Sequence, residues 1–387
     1  MIQDPFQLLV ALFGIVFFSV ILEKKFSFAR KLSPVVLILI IAALFSNLGL
    51  ISNNSSFYNN VTDFTVPFAV CLVLFQVKIA DFKKVGLPMF VAFIIGTLGT
   101  FTGVILGGLL LNPFLQNLLG PDSWKLAGPF TGTYIGGSLN FFALWTGLEI
   151  GKPDLFAAAN AVDNAFLLPT FLFMLIVPEK LVRFYPVAKT WKGSESGSAE
   201  QYDASKIPKF RILDLVALSF MSMMVMYVSR LIKTEFITSL MPQFPTILII
   251  TTFALILAQL KFITKLEGAN ELSNISFYIF FASVGAMMNI KSAVVLTPIL
   301  FIFVIIITIT HWVFVFGFGR LARLDVRLLA IASMAVKSGP STVLALVNVK
   351  GWIKLALPGV VAGLLGYALG NYIGFGTAYL MKYLLGM

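Results

Sequence analysis

Twelve apolar runs follow one another along the chain, and little polar sequence separates them. A transmembrane helix needs about 20 mostly apolar residues, so runs of this length predict helices that cross a bilayer. The composition agrees, because only 12% of the 387 residues are charged and 59% are hydrophobic, whereas a soluble protein keeps about a quarter of its residues charged. We therefore expect an all-α, polytopic membrane protein. The runs lie near residues 5–23, 34–50, 63–80, 86–111, 128–150, 154–177, 212–232, 244–260, 272–290, 292–318, 327–348 and 355–380.

Basic residues indicate which loops face the cytoplasm, because cytoplasmic loops of membrane proteins carry an excess of Lys and Arg. The segment 52–56 has no basic residue, so the N-terminus is expected outside, with the central polar segment and the C-terminus in the cytoplasm. On this interpretation the net charge of +11 reflects topology, so the lipid bilayer is an expected partner and nucleic acid is not. The basic loops contain Lys24, Lys25, Arg30 and Lys31, then Lys83 and Lys84, then Lys261 and Lys265, and finally Arg320, Arg323 and Arg327.

The two halves of the chain resemble each other. Residues 34–40 resemble 245–250, and the Gly-Gly-Ser of 136–138 corresponds to the Gly-Pro-Ser of 339–341. Because the basic loops predict opposite orientations for the two halves, the pattern is that of inverted repeats, which are typical of secondary transporters.

Each repeat is predicted to contain about six helices. We expect a first transmembrane repeat at 1–177, a polar cytoplasmic linker at 178–210 and a second transmembrane repeat at 211–387. Six crossings would return the first repeat to the outside, whereas the charge of the linker requires the inside. Either one run in the first half does not fully span, or part of 175–192 occupies the membrane or its interface.

One run in each half is interrupted by helix-breaking residues, Gly136 and Gly137 in the first half and Gly339 and Pro340 in the second. Unpaired backbone groups persist at membrane depth only when they are buried in protein or line a wet cavity. We expect two discontinuous helices that cross at the midplane, with half-helix ends facing an ion or a substrate. The alternative is a pair of packing kinks. The candidate substrate-binding residues lie around these breaks: Thr131, Thr133, Ser138, Asn140, Ser338, Ser341, Thr342 and Asn371.

Asp163 is the only acidic residue well inside an apolar run, and an ionised side chain there costs at least about 3 kcal/mol. Asn160 and Asn164 are four residues apart on one helical face next to Asp163, so these three side chains can converge on a sodium ion or a proton. Lys337 lies just before the second break and is expected to pair with Asp163, to hold a substrate carboxylate or to exchange its own proton. The alternative for Asp163 is a purely structural ion pair.

With these motifs in view, the chain resembles the YjcL-like family of bacterial membrane proteins, within the superfamily of cation/proton antiporters and bile-acid:sodium symporters. The segments that carry the resemblance are 131–140, 157–164 and 337–342. It implies a core, or transport, domain whose broken helices cross, a scaffold domain against which the core moves in an elevator-like cycle, a homodimer, and the bacterial inner membrane. In similar antiporters a pair of acidic residues, or Asn with Asp, binds the ion, and here Asp163 and Asn164 occupy those places with a single carboxylate.

These features predict an ion-coupled secondary transporter of a small polar organic solute, with sodium or a proton as the coupling ion and no other cofactor. The alternatives are a cation/proton antiporter without organic substrate and a passive channel. We expect no enzymatic activity, because one Cys, one His and a single membrane carboxylate do not supply the usual intramembrane protease sites. A serine protease that uses His311 with Ser138 or Ser341 is the remaining enzymatic alternative.

Overall fold

The computed structural model describes residues 1–26, 34–185, 211–239, 241 and 244–387. The described residues are helical almost throughout, and seven of their helices are long and apolar enough to cross a membrane. In the first half the helices are α1 (Pro5–Lys25), α2 (Pro34–Asn47), α3 (Ser56–Leu74), α4 (Leu87–Leu119), α5 (Ala127–Gly136), α6 (Ser138–Gly147) and α7 (Pro153–Leu181). In the second half they are α8 (Ile212–Ile232), α9 (Thr246–Leu257), α10 (Ala269–Met287), α11 (Ile290–Val313), α12 (Val326–Ser338), α13 (Pro340–Lys350) and α14 (Ala356–Leu384).

Helix boundaries are set by local sequence. Pro5 and Pro153 occupy the first positions of α1 and α7, where proline has no backbone N–H to leave unpaired. Asp4 caps α1, because its Oδ1 accepts a hydrogen bond of 2.9 Å from the backbone N–H of Gln7. Helix α7 continues past Pro178, where the linker is predicted to begin, and residues 186–210 of that linker lie outside the described residues.

The interrupted run of the first half is a hairpin that does not cross the membrane. Helices α5 and α6 pack antiparallel, so that Gly128 lies against Leu148 and Gly132 against Leu144. Gly137 has a φ of +75°, a conformation that side chains disfavour, and the chain reverses there. The prediction that the run 128–150 crosses the membrane is therefore wrong. With one crossing fewer, the first half of the chain begins at one end of the molecule and finishes at the opposite end, as the basic linker requires.

The second interrupted run, α12 and α13, is also a hairpin. Gly339 has a φ of +80° at its tip, and Lys350 at the end of α13 forms an ion pair of 2.7 Å with Glu179 at the end of α7. At that same end of the molecule the Tyr185 hydroxyl donates to the backbone carbonyl of Phe316, which lies ten residues before the start of α12. The chain therefore leaves the second hairpin at the end where it entered.

The tips of the two hairpins meet inside the protein, because the hairpins enter from opposite ends. A Cβ atom on Gly137 would lie 3.8 Å from the carbonyl oxygen of Ser338. Helix α14 runs past both tips, with Gly363 beside Pro340 and Gly366 beside Ile135. The predicted midplane crossing of two broken helices is thus replaced by two re-entrant hairpins that meet tip to tip.

Both termini lie at one end of the molecule, so an N-terminus outside and a C-terminus in the cytoplasm do not fit this fold. The physical reason is the second hairpin, which leaves the second half with an odd number of crossings. Hydrogen bonds at this end join Ile2 with Leu50, Asn47 with Met288, and Asp154 with Asn289. Glu149 and the C-terminal Met387 line one cavity at the same end.

The helices form two bundles that each receive elements from both halves. The hairpin bundle contains α4, α7, α11, α14 and both hairpins, and the outer bundle contains α1, α2, α3, α8, α9 and α10. In the hairpin bundle Gly99 and Gly103 of α4 allow α11 to approach closely at His311 and Ile307. The bundles meet where α7 packs against α10, and where α9 packs against α14.

Candidate functional site

A partly open cavity of about 160 Å³ lies between the two hairpin tips and the middle of α7, and two of its lining residues, Leu167 and Ser341, are exposed. Both chain reversals contribute polar groups to it. Its lining residues are Thr133, Tyr134 and Ser138 from the first hairpin, Asp163, Asn164, Phe166, Leu167 and Thr170 from α7, and Lys337, Ser338, Ser341 and Thr342 from the second hairpin.

The hairpin tips place two helix N-termini beside this cavity. Ser138 is the first residue of α6, and Ser341 and Thr342 lie in the first turn of α13. The first N–H groups of a helix have no partner within the helix and carry partial positive charge. An anion in the cavity would therefore be stabilised by both hairpins.

Asp163 lines the cavity from α7 and is only 9% exposed. Its Oδ2 atom accepts a hydrogen bond of 3.1 Å from the hydroxyl of Thr133, and the hydroxyls of Tyr134 and Ser138 lie close to the same carboxylate. Asp163 is the one acidic residue with a buried side chain in the described part of the chain. A carboxylate among hydroxyl groups is a suitable ligand for a sodium ion, a proton or an ammonium group.

Lys337 lines the same cavity from the second hairpin and is 5% exposed. Its ammonium group donates to the hydroxyls of Thr308, at 2.9 Å, and Thr170, at 3.4 Å. The same group lies 4.6 Å from the centre of the Tyr134 ring and 5.7 Å from that of Trp312. Hydroxyl oxygens and aromatic faces thus stabilise this buried cation.

The direct ion pair that the sequence predicts between Lys337 and Asp163 does not form. Both residues are described, and the ammonium nitrogen of Lys337 lies more than 4.0 Å from the carboxylate oxygens of Asp163, which is too far for an ion pair. The cause is the set of contacts that hold the ammonium of Lys337 toward Thr308 on α11. The two charges interact electrostatically while remaining separate groups of one cavity.

Four of the residues predicted for the site do not line the cavity. Asn140 is buried inside the first hairpin and donates to the backbone carbonyl of Gly366 at 3.3 Å. Asn371 donates to the hydroxyl of Thr251 at 3.0 Å, between the two bundles. Thr131 is fully buried, and so is Asn160, whose Oδ1 accepts from the side chain of Asn164 at 3.1 Å. Only Asn164 of the predicted amides lines the cavity, so the predicted sodium ligands Asp163 and Asn160 do not share it.

Sequence reasoning missed the residues that surround Lys337. Tyr134, Thr170, Thr308 and Trp312 belong to three different helices. Thr170 and Thr308 are polar residues within apolar runs, which is a weak signal that is also typical of helix packing. Nothing in their spacing indicates that α7 and α11 meet at the second hairpin.

His311 is a fully buried residue whose two ring nitrogens both have partners. Its Nδ1 lies 3.0 Å from the carbonyl of Gly96, and its Nε2 lies 2.9 Å from the hydroxyl of Ser333. A carbonyl oxygen only accepts, so Nδ1 carries the proton and the Ser333 hydroxyl donates to Nε2. Neither Ser138 nor Ser341 contacts His311, and the serine protease alternative lacks its geometry.

A second, larger cavity of about 740 Å³ lies at the end of the molecule that holds both termini. Its rim carries charges of both signs, and Lys125 and Asp122 on it form an ion pair of 3.2 Å. Within the described residues no group of three or more His, Cys, Asp or Glu side chains is placed to hold a metal ion.

The fold and the site define a class of protein: a polytopic helical membrane protein in which two re-entrant hairpins enclose a buried carboxylate and a buried ammonium group. The chain belongs to the family described as "Protein of unknown function (DUF819)", whose family model matches residues 8–384. It is 30% identical over 369 residues to the "Uncharacterized membrane protein YjcL" of Bacillus subtilis (strain 168), a match that covers 92% of this chain and 91% of that protein. The family resemblance predicted from the sequence is confirmed, and the placement in the antiporter and symporter superfamily stays a prediction.

Proposed function

We propose that this protein is an ion-coupled secondary active transporter of a small polar organic solute that works by alternating access. The observation that carries the proposal is the cavity between the hairpin tips, where Asp163 and Lys337 are buried without forming an ion pair. Burying two charges is costly, and a protein that needed them only for stability would gain by pairing them directly. Polar groups kept apart at membrane depth are typical of a pathway for ions or solutes.

The two hairpins support alternating access. One hairpin enters from each end of the molecule, and the cavity lies between their tips. Movement of the hairpin bundle against the outer bundle would expose the cavity first at one end and then at the other. The opposite entry of the hairpins agrees with the proposed inverted repeats, and the two bundles correspond to the proposed core and scaffold domains.

The proposed orientation follows from the basic residues. Lys84, Lys265, Arg320 and Lys350 belong to the end opposite the termini, which is therefore assigned to the cytoplasm. Both termini are then assigned to the outside of a bacterial inner membrane. A homodimer, which the family resemblance implies, and the absence of enzymatic activity stay predictions.

A cation/proton antiporter without organic substrate is the second candidate. The observation that favours it is the hydroxyl-rich surrounding of Asp163, in which Thr133 donates to the carboxylate. A sodium ion and a proton would exchange there. The candidate gives no role to Lys337 or to the N-terminus of α13, which both suit an anion.

A thermal-shift titration of the purified protein tests whether Asp163 binds the coupling ion. Sodium, potassium and lithium chloride are titrated between pH 5 and pH 8 on the wild type and on Asp163→Asn. A ligand that binds only the folded state raises its apparent stability, so we expect stabilisation by one cation in the wild type and none in the variant. The matched control is Asp81→Asn, because Asp81 lies in an exposed ion pair of 2.7 Å with Lys84 far from the cavity.

Transport by the protein in liposomes, driven by a sodium or a pH gradient, gives the second readout. If Asp163→Asn responds to cations and pH as the wild type does, and transports as well, the site is structural and the proposal is wrong. If the cations leave the melting temperature unchanged, and pH changes it only when Asp163 is present, the coupling ion is a proton.

A further inference from the structure

The cavity between the hairpin tips holds two groups of opposite charge that form no direct ion pair. Asp163 and Lys337 are the only Asp, Glu, Lys or Arg residues that are buried in the described part of the chain, and both line this cavity. A ligand with one charge would satisfy one of them and leave the other unpaired. An uncompensated buried charge costs several kcal/mol, so a ligand with both charges fits best.

Lys337 would bind the negatively charged end of such a ligand. Its ammonium group has three donors, and the structure assigns two of them to the hydroxyls of Thr308 and Thr170. The N-termini of α6 and α13 border the same space with Ser138, Ser341 and Thr342. A carboxylate group suits this combination of one cation, hydroxyl donors and helix N-termini.

Asp163 would bind the positively charged end of the ligand. Its carboxylate accepts a hydrogen bond from Thr133 and offers about four acceptor positions in all, so it can also accept from a ligand. The hydroxyl of Tyr134, a residue that is 3% exposed, lies close to that carboxylate, and so does the hydroxyl of Ser138. An ammonium group carries several donors, and the carboxylate with its surrounding hydroxyl oxygens offers acceptors for them.

The volume of the cavity suits a small ligand. It measures about 160 Å³, and a protein cavity of about 150 Å³ holds a molecule of the size of benzene. A short α-amino acid has a similar number of heavy atoms and carries its two charges at one end of the molecule. Phe166 and Leu167 supply apolar wall for a small side chain.

We infer that the ligand of this cavity is a small zwitterion of the α-amino acid class, with its ammonium group on Asp163 and its carboxylate on Lys337. The inference rests on the proposed function and names the substrate class of the same site. It has a consequence for coupling, because the ammonium group and a coupling cation need the same carboxylate. The solute and the cation therefore compete, and the transport mode is exchange.

The test compares three probes of matched size: L-alanine, propionate and propylammonium, at pH 7. Binding to the full-length protein in detergent is measured by isothermal titration calorimetry for the wild type, Asp163→Asn and Lys337→Met. The controls are Asp81→Asn and Lys84→Met, which remove the same charges from an exposed ion pair. The wild type and both controls are expected to bind L-alanine at least tenfold more tightly than either single-charge probe.

The two variants should change this preference in different ways. In Asp163→Asn the preference for L-alanine over propionate should fall to about one, and in Lys337→Met the preference over propylammonium should do so. A merely structural role would weaken all three probes together. Added sodium chloride, or a lower pH if the coupling ion is a proton, should raise the apparent Kd of L-alanine in the wild type.

Failure of this inference is distinguishable from failure of the proposed function. If propionate binds as tightly as L-alanine, and Asp163→Asn does not change the affinity for propionate, the solute is a simple anion. The zwitterion assignment is then wrong, while solute transport stands. If no probe binds but cations still stabilise the protein through Asp163, the zwitterion assignment is overturned in favour of cation/proton antiport. If the coupling cation raises the affinity for L-alanine, exchange is overturned in favour of symport.

Discussion

Helices α7 and α14 have the same place in the two halves and different chemistry. Each is 29 residues long, follows the hairpin of its own half and packs against the hairpins. Helix α7 contributes Asp163, Asn164 and Thr170 to the cavity. Helix α14 contributes no lining residue there, and it meets the hairpins through glycines such as Gly363 and Gly366.

The comparison shows that one helix supplies the chemistry of the site and the other its close packing. Small residues allow backbones to approach, which is how helices associate where lipid provides no hydrophobic driving force. Tyr367 of α14 covers the tips of both hairpins at Gly137 and Gly339. Substitutions in α14 should therefore act on stability, and substitutions in α7 on binding and transport.

The largest effect on stability is expected from Gly366→Val. A Cβ atom on Gly366 would collide with the backbone carbonyl of Ile135, so α14 and the first hairpin must separate. We expect a loss of about 3 kcal/mol, the upper part of the usual range for overpacking. Thermal unfolding in detergent measures the loss, and Gly376→Val is the matched control because nothing lies within 4 Å of a Cβ there. Equal melting temperatures for the two variants would show that the close packing of α14 is unimportant.

The largest effect on function is expected from Asp163→Asn in α7. Transport of L-alanine should fall about 100-fold, since the loss of a charge-assisted interaction costs roughly 3 kcal/mol. The variant should unfold near the wild-type temperature, because Asp163 forms no direct ion pair that the substitution would break. Transport into liposomes and thermal unfolding are measured on the same preparation. A variant that loses stability and transport in proportion would remove the distinction between the two helices.

A smaller effect on stability is expected from Asn371→Leu in α14. The variant loses the hydrogen bond of 3.0 Å to Thr251, which connects the two bundles, at a cost of about 1 kcal/mol. Calorimetric binding of L-alanine should stay unchanged, since Asn371 does not line the cavity. A change in affinity without a change in melting temperature would return Asn371 to the site, as the sequence predicts.

The smallest effect is expected from Thr170→Val in α7. Its hydroxyl accepts the longer of the two hydrogen bonds from Lys337, at 3.4 Å against 2.9 Å for Thr308. The affinity for a carboxylate-containing probe should fall about twofold, and Thr308→Val should lower it more. Calorimetry with propionate compares the two variants. The reverse order would mean that α7 and not α11 positions the ammonium group.

Much of the candidate site was predictable because its residues are chemically unusual for their surroundings. Asp163 and Lys337 stand out in apolar runs, where each charge needs an explanation. Ser138 and Ser341 follow the glycine breaks and lie at the cavity for that reason. Asn140 and Asn371 have the same polarity, but their hydrogen bonds to Gly366 and Thr251 are satisfied within the packing, which a residue type alone does not reveal.

The sequence by itself determined the number and length of the apolar segments, the positions of the two breaks and the two charges that the protein buries. These follow from local chemistry: backbone hydrogen bonding, glycine and proline conformation, and the cost of a charge in lipid. Only the tertiary structure decided that each broken run folds back on itself and that both termini lie at one end of the molecule. It also decided that the Lys337 ammonium contacts the Thr308 hydroxyl and the Tyr134 ring instead of pairing with Asp163. The direction of the chain after Gly137 or Gly339 depends on which surfaces pack together across the fold, and a break in a helix does not specify those contacts.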